Sequence, residues 1–214
     1  MSPAVDPFLM VILLLNFFAL GTSRLNAVIN AAALQGAVLG VLALLVHGVH
    51  EALPVLIAIA TIVIKGVTIP AMLRRAMRDV AIRREVEPFI DFIPSLLACA
   101  VATGFAVIYS RVLPLAPAHV GSLLVPASLA TVFTGFIILC TRRKAITQVA
   151  GYLILENGVF IMGLGLLEAI PFLVEAGVLL DLLVGIFVMG IIVYQINREF
   201  ASLDTTHLST LKEE

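Results

Sequence analysis

The chain has 214 residues, 61% hydrophobic and only 13% charged, with a mean hydropathy of +1.14 and a formal net charge of −1. A soluble domain is about 45–50% apolar and about 25% charged, so this composition excludes an ordinary globular enzyme and describes an all-α integral membrane protein in a lipid bilayer. No nucleic-acid partner is expected, and the near-zero sum is less informative than how charge divides between loops.

The first apolar run follows an acidic, proline-containing start (Pro3, Asp6, Pro7) rather than a basic leader, and no small-residue cleavage signal follows it. That pattern predicts a retained first span rather than a signal peptide. A spanning helix takes roughly 20 apolar residues, and seven candidates appear, over 5–22, 26–47, 52–74, 89–111, 120–141, 145–168 and 172–196. The third contains Lys65 and ends in the kink-prone IPAMLRR, and the one sizeable polar loop runs from Arg74 to Pro88. The proline-rich VLPLAPAH joins the fourth and fifth. The chain thus divides into a four-helix segment (1–119), a three-helix segment (120–198) and a short polar tail (199–214).

Seven spans place Arg24, the cluster Arg74, Arg75, Arg78, Arg83 and Arg84, the cluster Arg142, Arg143 and Lys144, and Arg198 and Lys212 on one side. That is eleven of the 13 basic residues. Cytoplasmic loops carry the basic excess, which predicts a multi-pass protein of the cell (inner) membrane with its N-terminus outside and its C-terminus inside. The basic loops and the tail are expected to be contact surfaces for partners.

Cys99 and Cys140 lie in apolar runs, without metal-ligand spacing or a disulfide framework. His47, His50, His119 and His207 fall at span ends or in the tail, too shallow for ligands to a buried cofactor. No cofactor or metal is expected, and no catalytic set appears.

The informative residues are the polar groups inside the spans. A carboxylate at the centre of a hydrocarbon-length helix costs at least about 2.5–3.5 kcal/mol to insert and marks a functional site by default. Glu156 sits in the sixth span and Asp181 in the seventh. Tyr152 shares the face of Glu156 one turn away, and Asn157 neighbours it. Gly177, Asp181 and Gly185 form a small–acid–small stripe that keeps the acid off lipid. On antiparallel helices the two acids differ by only about 6 Å in depth, within reach of each other or of one partner group. Desolvation raises a carboxyl pKa and a nearby cation lowers it again, so a buried acid pair is expected to exchange one proton as a coupled dyad. Lys65, near the middle of the third span, needs a carboxylate, a carbonyl or water beside it. It has either a proton-relay or charge-pairing role, or is a structural partner to Asp91 or to an acid of another subunit. Glu175 and Asp91 lie near span ends, within reach of headgroups, and Asn16, Asn30 and Gln35 read as inter-helix hydrogen bonders.

The last three spans resemble the three-helix K subunit of respiratory complex I, related to the C subunit of multisubunit cation/proton antiporters. The resemblance rests on Arg142-Arg143, Gly151 and Asn157, and on Asp181 four before Gly185. Asp181 matches the family's second membrane carboxylate directly. Glu156 lies three residues beyond the first, whose position here is Leu153. The chain as a whole is similar to the hydrogenase-4 component E family, a membrane subunit of group 4 nickel–iron hydrogenase and formate hydrogenlyase complexes. GYLILENG, VEAGVLLDLLVGIFVM and the tail LDTTHLSTLK carry this, with weaker support from VIKGVTIPAM and SRLNAVINAAALQG. The resemblance implies a non-catalytic subunit packed beside antiporter-like membrane subunits, with peripheral hydrogenase-type subunits holding all redox chemistry. Lys65, Glu156, Asp181, Asn157 and Tyr152 would then serve a proton path. Two other readings stay open: a stand-alone secondary transporter, for which no inverted repeat is evident, and a scaffold whose buried charges only lock neighbouring subunits.

Overall fold

A computed structural model describes residues 4–47, 52–79, 86, 88–113 and 122–166. These are helical throughout, apart from short connections and one isolated bridge between Pro88 and Arg142. In order they form α1 (Val5–Gly21), α2 (Leu25–His47), α3 (Ala52–Thr61), a π-helical segment (Ile62–Thr68) continuing into α4 (Ile69–Asp79), α5 (Phe92–Ser110), α6 (Leu124–Thr141) and α7 (Ala145–Leu166). Each of the first six expected spans corresponds to a helix. The seventh, with Asp181 and Glu175, lies outside the described residues, as does the tail. Among the described residues four helices, Leu25–Val46, Phe92–Ser110, Leu124–Thr141 and Ala145–Leu164, are long and apolar enough to cross a membrane, and Val5–Gly21 is apolar but shorter.

Proline sets several of the starts. Pro7, Pro54, Pro94 and Pro126 each stand third in α1, α3, α5 and α6. The first four N–H groups of a helix have no intrahelical partner, so a missing donor there costs nothing. Pro70 is the exception, because it falls inside the continuous rod α3–π–α4. Its ring cannot donate to Gly66 and crowds that carbonyl. The backbone ahead of it shifts register by one residue: Ile69 N–H donates to Ile64 O, and the Thr68 hydroxyl donates to Val63 O at 3.0 Å. The third span is therefore not the uninterrupted helix expected over 52–74. It is a longer rod with a π turn at Lys65.

Among the described helices, antiparallel α6 and α7 form the most extensive pairing. Their backbones meet because they face each other through glycine. A Cβ on Gly135 would lie 2.5 Å from Leu155 N, and one on Gly158 would lie 2.6 Å from Val132 N. α2 packs between α1, α7 and the rod, and α6 also contacts α1 and α5.

The apolar core falls into two clusters. One gathers Leu20, Leu25, Ile29, Leu73, Ile138 and Ile154, at the end where α1 gives way to α2 and α6 to α7. The other gathers Leu9, Ile12, Leu39, Leu42, Leu124 and Ile161 at the opposite end. Between them, each inward-facing helix contributes a polar residue: Asn16, Gln35, Lys65, Ser128, Thr131, Glu156 and Asn157, all buried. A polar belt therefore crosses the bundle at mid-height.

Basic residues gather at the first of these ends. Arg74 donates to Asn30 Oδ1 at 2.8 Å, and Arg24, Arg143 and Lys144 flank the two helix–helix turns. Arg142 corrects an expectation. It is no contact surface but only 2% exposed. Its guanidinium donates to Leu20 O and Ile90 O, both at 3.0 Å, and stands 5.3 Å from the Phe92 ring centroid. It thereby satisfies a carbonyl at the end of α1 and fastens the segment entering α5. Burial pulls this guanidinium below its ordinary value.

Candidate functional site

Glu156 lies eleven residues into α7, counting from Ala145, so at 1.5 Å per residue its Cα is roughly 16 Å from the helix start. That is about half the thickness of a hydrocarbon layer of about 30 Å. The rod brings Lys65 to the same height. Lys65 Nζ donates to Glu156 Oε1 at 2.5 Å, with side chains 4% and 2% exposed. It also lies 3.5 Å from Asn157 Oδ1 and 5.1 Å from the centre of the Phe160 ring. The ammonium thus meets a carboxylate, an amide oxygen and an aromatic face. A buried lysine requires such company.

Gly36 of α2 makes this placement possible. A Cβ there would stand 2.6 Å from Lys65 Cβ and 3.4 Å from its carbonyl carbon, so only glycine lets the rod come near enough for Lys65 to reach α7. Asn157 binds the same turn of α2, its Nδ2 donating to Ala32 O at 3.3 Å. Lys65, Glu156 and Asn157 therefore form one site built by the π segment, α7 and α2. The π turn widens the rod at the residue that carries the charge, and such turns occur frequently at functional sites.

The structure brings together three of the five residues singled out from the sequence. Tyr152, half-buried one turn before Glu156, packs against the apolar cluster at the basic end. Asp181 lies outside the described residues. Lys65 is paired with Glu156, whereas Asp91 is exposed at the start of α5.

A second chain of buried polar groups lies beside the ion pair. Gln35 Nε2 donates to Asn16 Oδ1 at 2.8 Å and to Ile12 O at 3.3 Å. Asn16 Nδ2 donates to Thr131 Oγ1 at 2.9 Å, and the Thr131 hydroxyl donates to Ala127 O at 2.7 Å. Nearby on α6, Ser128 Oγ donates to Gly158 O at 3.0 Å, beside Asn157. Sequence reasoning named Asn16 and Gln35 only as hydrogen bonders and passed over Ser128 and Thr131. Their spacing of three within an apolar span, continued by Thr134, was the available signal of a polar stripe.

The fold and the site define a class: a helical bundle, several of its helices long and apolar enough to cross a membrane, with a Lys–Glu pair buried at mid-height. The chain is 34% identical over 194 residues to the uncharacterized protein Rv0085 of Mycobacterium tuberculosis, the match covering 88% of this chain and 87% of that protein. It belongs to the same family as that protein. No protein-family profile and no solved structure matches the chain.

Proposed function

We propose that this chain is a non-catalytic membrane subunit of a complex I-like redox complex of the group 4 hydrogenase type, and that its Lys65–Glu156 pair belongs to a proton-translocation path. The observation that carries the proposal is the pair itself, buried at mid-height with its lysine on a π turn. A buried pair is costly to desolvate and is no net source of stability, so its presence at the centre of an apolar bundle favours a role in moving charge. In this reading Asn157 steadies the ammonium and Asp181 carries the path onward on the seventh span. The chain lies in the cell inner membrane with its N-terminus outside and its basic end in the cytoplasm. Antiporter-like membrane subunits stand beside it, and peripheral subunits perform the redox chemistry. The resemblance of GYLILENG and VEAGVLLDLLVGIFVM supports this assignment of partners.

A second reading draws on the tight seating of Lys65 against Gly36, in which the pair only locks the rod to α7. Complex membership is tested by extraction from native membranes in mild detergent, followed by mass spectrometry of the intact assembly. Recovery with antiporter-like and hydrogenase-type chains is expected. Recovery as a lone oligomer would point to a stand-alone transporter instead.

A further inference from the structure

We propose that Gln35 Oε1 and the Asn157 amide together hold a buried water, which joins the Asn16–Gln35–Thr131 chain to the Lys65–Glu156 pair. The direction of the first chain is fixed at both ends by backbone carbonyls, which only accept. Ile12 O requires Gln35 Nε2 on its side of the amide, and Ala127 O requires the Thr131 hydroxyl as donor. Asn16 then must present Nδ2 to Thr131 and Oδ1 to Gln35. Turning any amide over would set acceptor against acceptor, or donor against donor.

Gln35 Oε1 is left as the end of the chain, fully buried and with no hydrogen-bond donor among the described residues. An unsatisfied buried acceptor costs about 1–3 kcal/mol, and buried waters typically satisfy such groups by making two to four hydrogen bonds. The donor side is at hand on the same turn of α2. Asn157 gives one amide hydrogen to Ala32 O, three residues before Gln35, and a carboxamide has a second to give. Residues three apart on a helix are surface neighbours, with Cβ atoms about 5–6 Å apart, so the Asn157 amide bound at Ala32 O lies beside the Gln35 position on the same face of α2. A water accepting from Asn157 and donating to Gln35 completes both amides. It makes one network from the π segment through α7, α2 and α1 to α6. Its service to proton transfer rests on the function proposed above; its presence does not.

The test is water-edited solid-state NMR on the full-length protein in lipid bilayers, read at the side-chain carboxamides of Gln35 and Asn157. Magnetisation from water is expected to reach both several-fold faster than it reaches the equally buried side chain of Asn16. In Gln35→Leu, transfer to Asn157 is expected to fall several-fold. Slow transfer to Gln35 in the wild type would overturn the proposal without any variant, and so would unchanged transfer to Asn157 in Gln35→Leu. Proton translocation by Glu156→Gln reads the other reading separately. A hydrated Gln35 in a protein whose Glu156→Gln variant still pumps normally keeps the water and removes the path.

Discussion

Gly36 and Lys65 touch so closely that a single added methyl group would stand 2.6 Å from the lysine Cβ. The contact falls at the root of the side chain, so rotation of the flexible stem cannot relieve it and the rod itself must move. Overpacking of this kind costs about 1–3 kcal/mol. Gly36→Ala should therefore lower the thermal midpoint of the purified protein and lengthen the ion pair. Gly104 on α5, where a Cβ would meet nothing within 4 Å, is the matched control. Its change to Ala should be neutral or stabilising by about 0.5–1 kcal/mol. Equal effects at both sites would show that close packing at Gly36 does not govern the pair.

The pair should behave as a coupled unit. Removing one partner of a buried ion pair costs about 3–5 kcal/mol, because the other charge is stranded, while removing both costs far less. Lys65→Met and Glu156→Gln are thus each expected to destabilise, and the double variant to be more stable than the sum predicts. A coupling of at least about 3 kcal/mol is expected from denaturation of the three variants and the wild type. Simple additivity would mean that the two charges do not depend on each other.

Much of this arrangement was legible in the sequence, and the boundary is physical. Hydropathy marks each helix because an apolar run of spanning length has few other fates, and the cost of a buried charge singles out Lys65 and Glu156. Their pairing was not legible. It depends on the approach of the rod to α2 at Gly36 and on the register shift before Pro70, and neither follows from spacing within one helix. Arg142 misled for a related reason. In sequence it is the first of three basic residues, but the turn between α6 and α7 aims it inward at Leu20 O and Ile90 O.

That inward orientation predicts a sharp contrast within the basic cluster. Arg142→Ala removes the donor to Leu20 O and one of the donors to Ile90 O and empties a buried site, so a loss of about 2–3 kcal/mol is expected from the charge-assisted bonds alone. Arg142→Lys should rescue little, since a single ammonium lacks the planar fork that reaches two acceptors. Arg143→Ala removes an exposed side chain lying 4.2 Å from the Phe89 ring centroid, and should cost at most about 1 kcal/mol. Thermal unfolding of the three variants checks the order. A larger loss at Arg143 would contradict the latch.

Charge segregation predicts the orientation. With Cys99 and Cys140 replaced by Ala, a cysteine at position 80 should react with an impermeant probe only from the cytoplasm, and one at position 117 only from outside. Labelling of both from one face would contradict a membrane crossing by α5 and with it the seven-span arrangement.

The central claim is that Glu156 carries protons. The most direct measurement is proton translocation coupled to electron transfer in native membrane vesicles from a Glu156→Gln strain. Gln keeps the shape and an acceptor oxygen for Lys65, so the complex should still assemble, in reduced amounts, with redox chains that reduce artificial acceptors, and translocation is read per assembled complex. Translocation is expected to fall at least about tenfold, the loss equivalent to about 1.4 kcal/mol on the barrier. Adding Asp181→Asn should lower it hardly further, because a broken path is not broken twice. Translocation at the wild-type rate in a fully assembled Glu156→Gln complex would contradict the account.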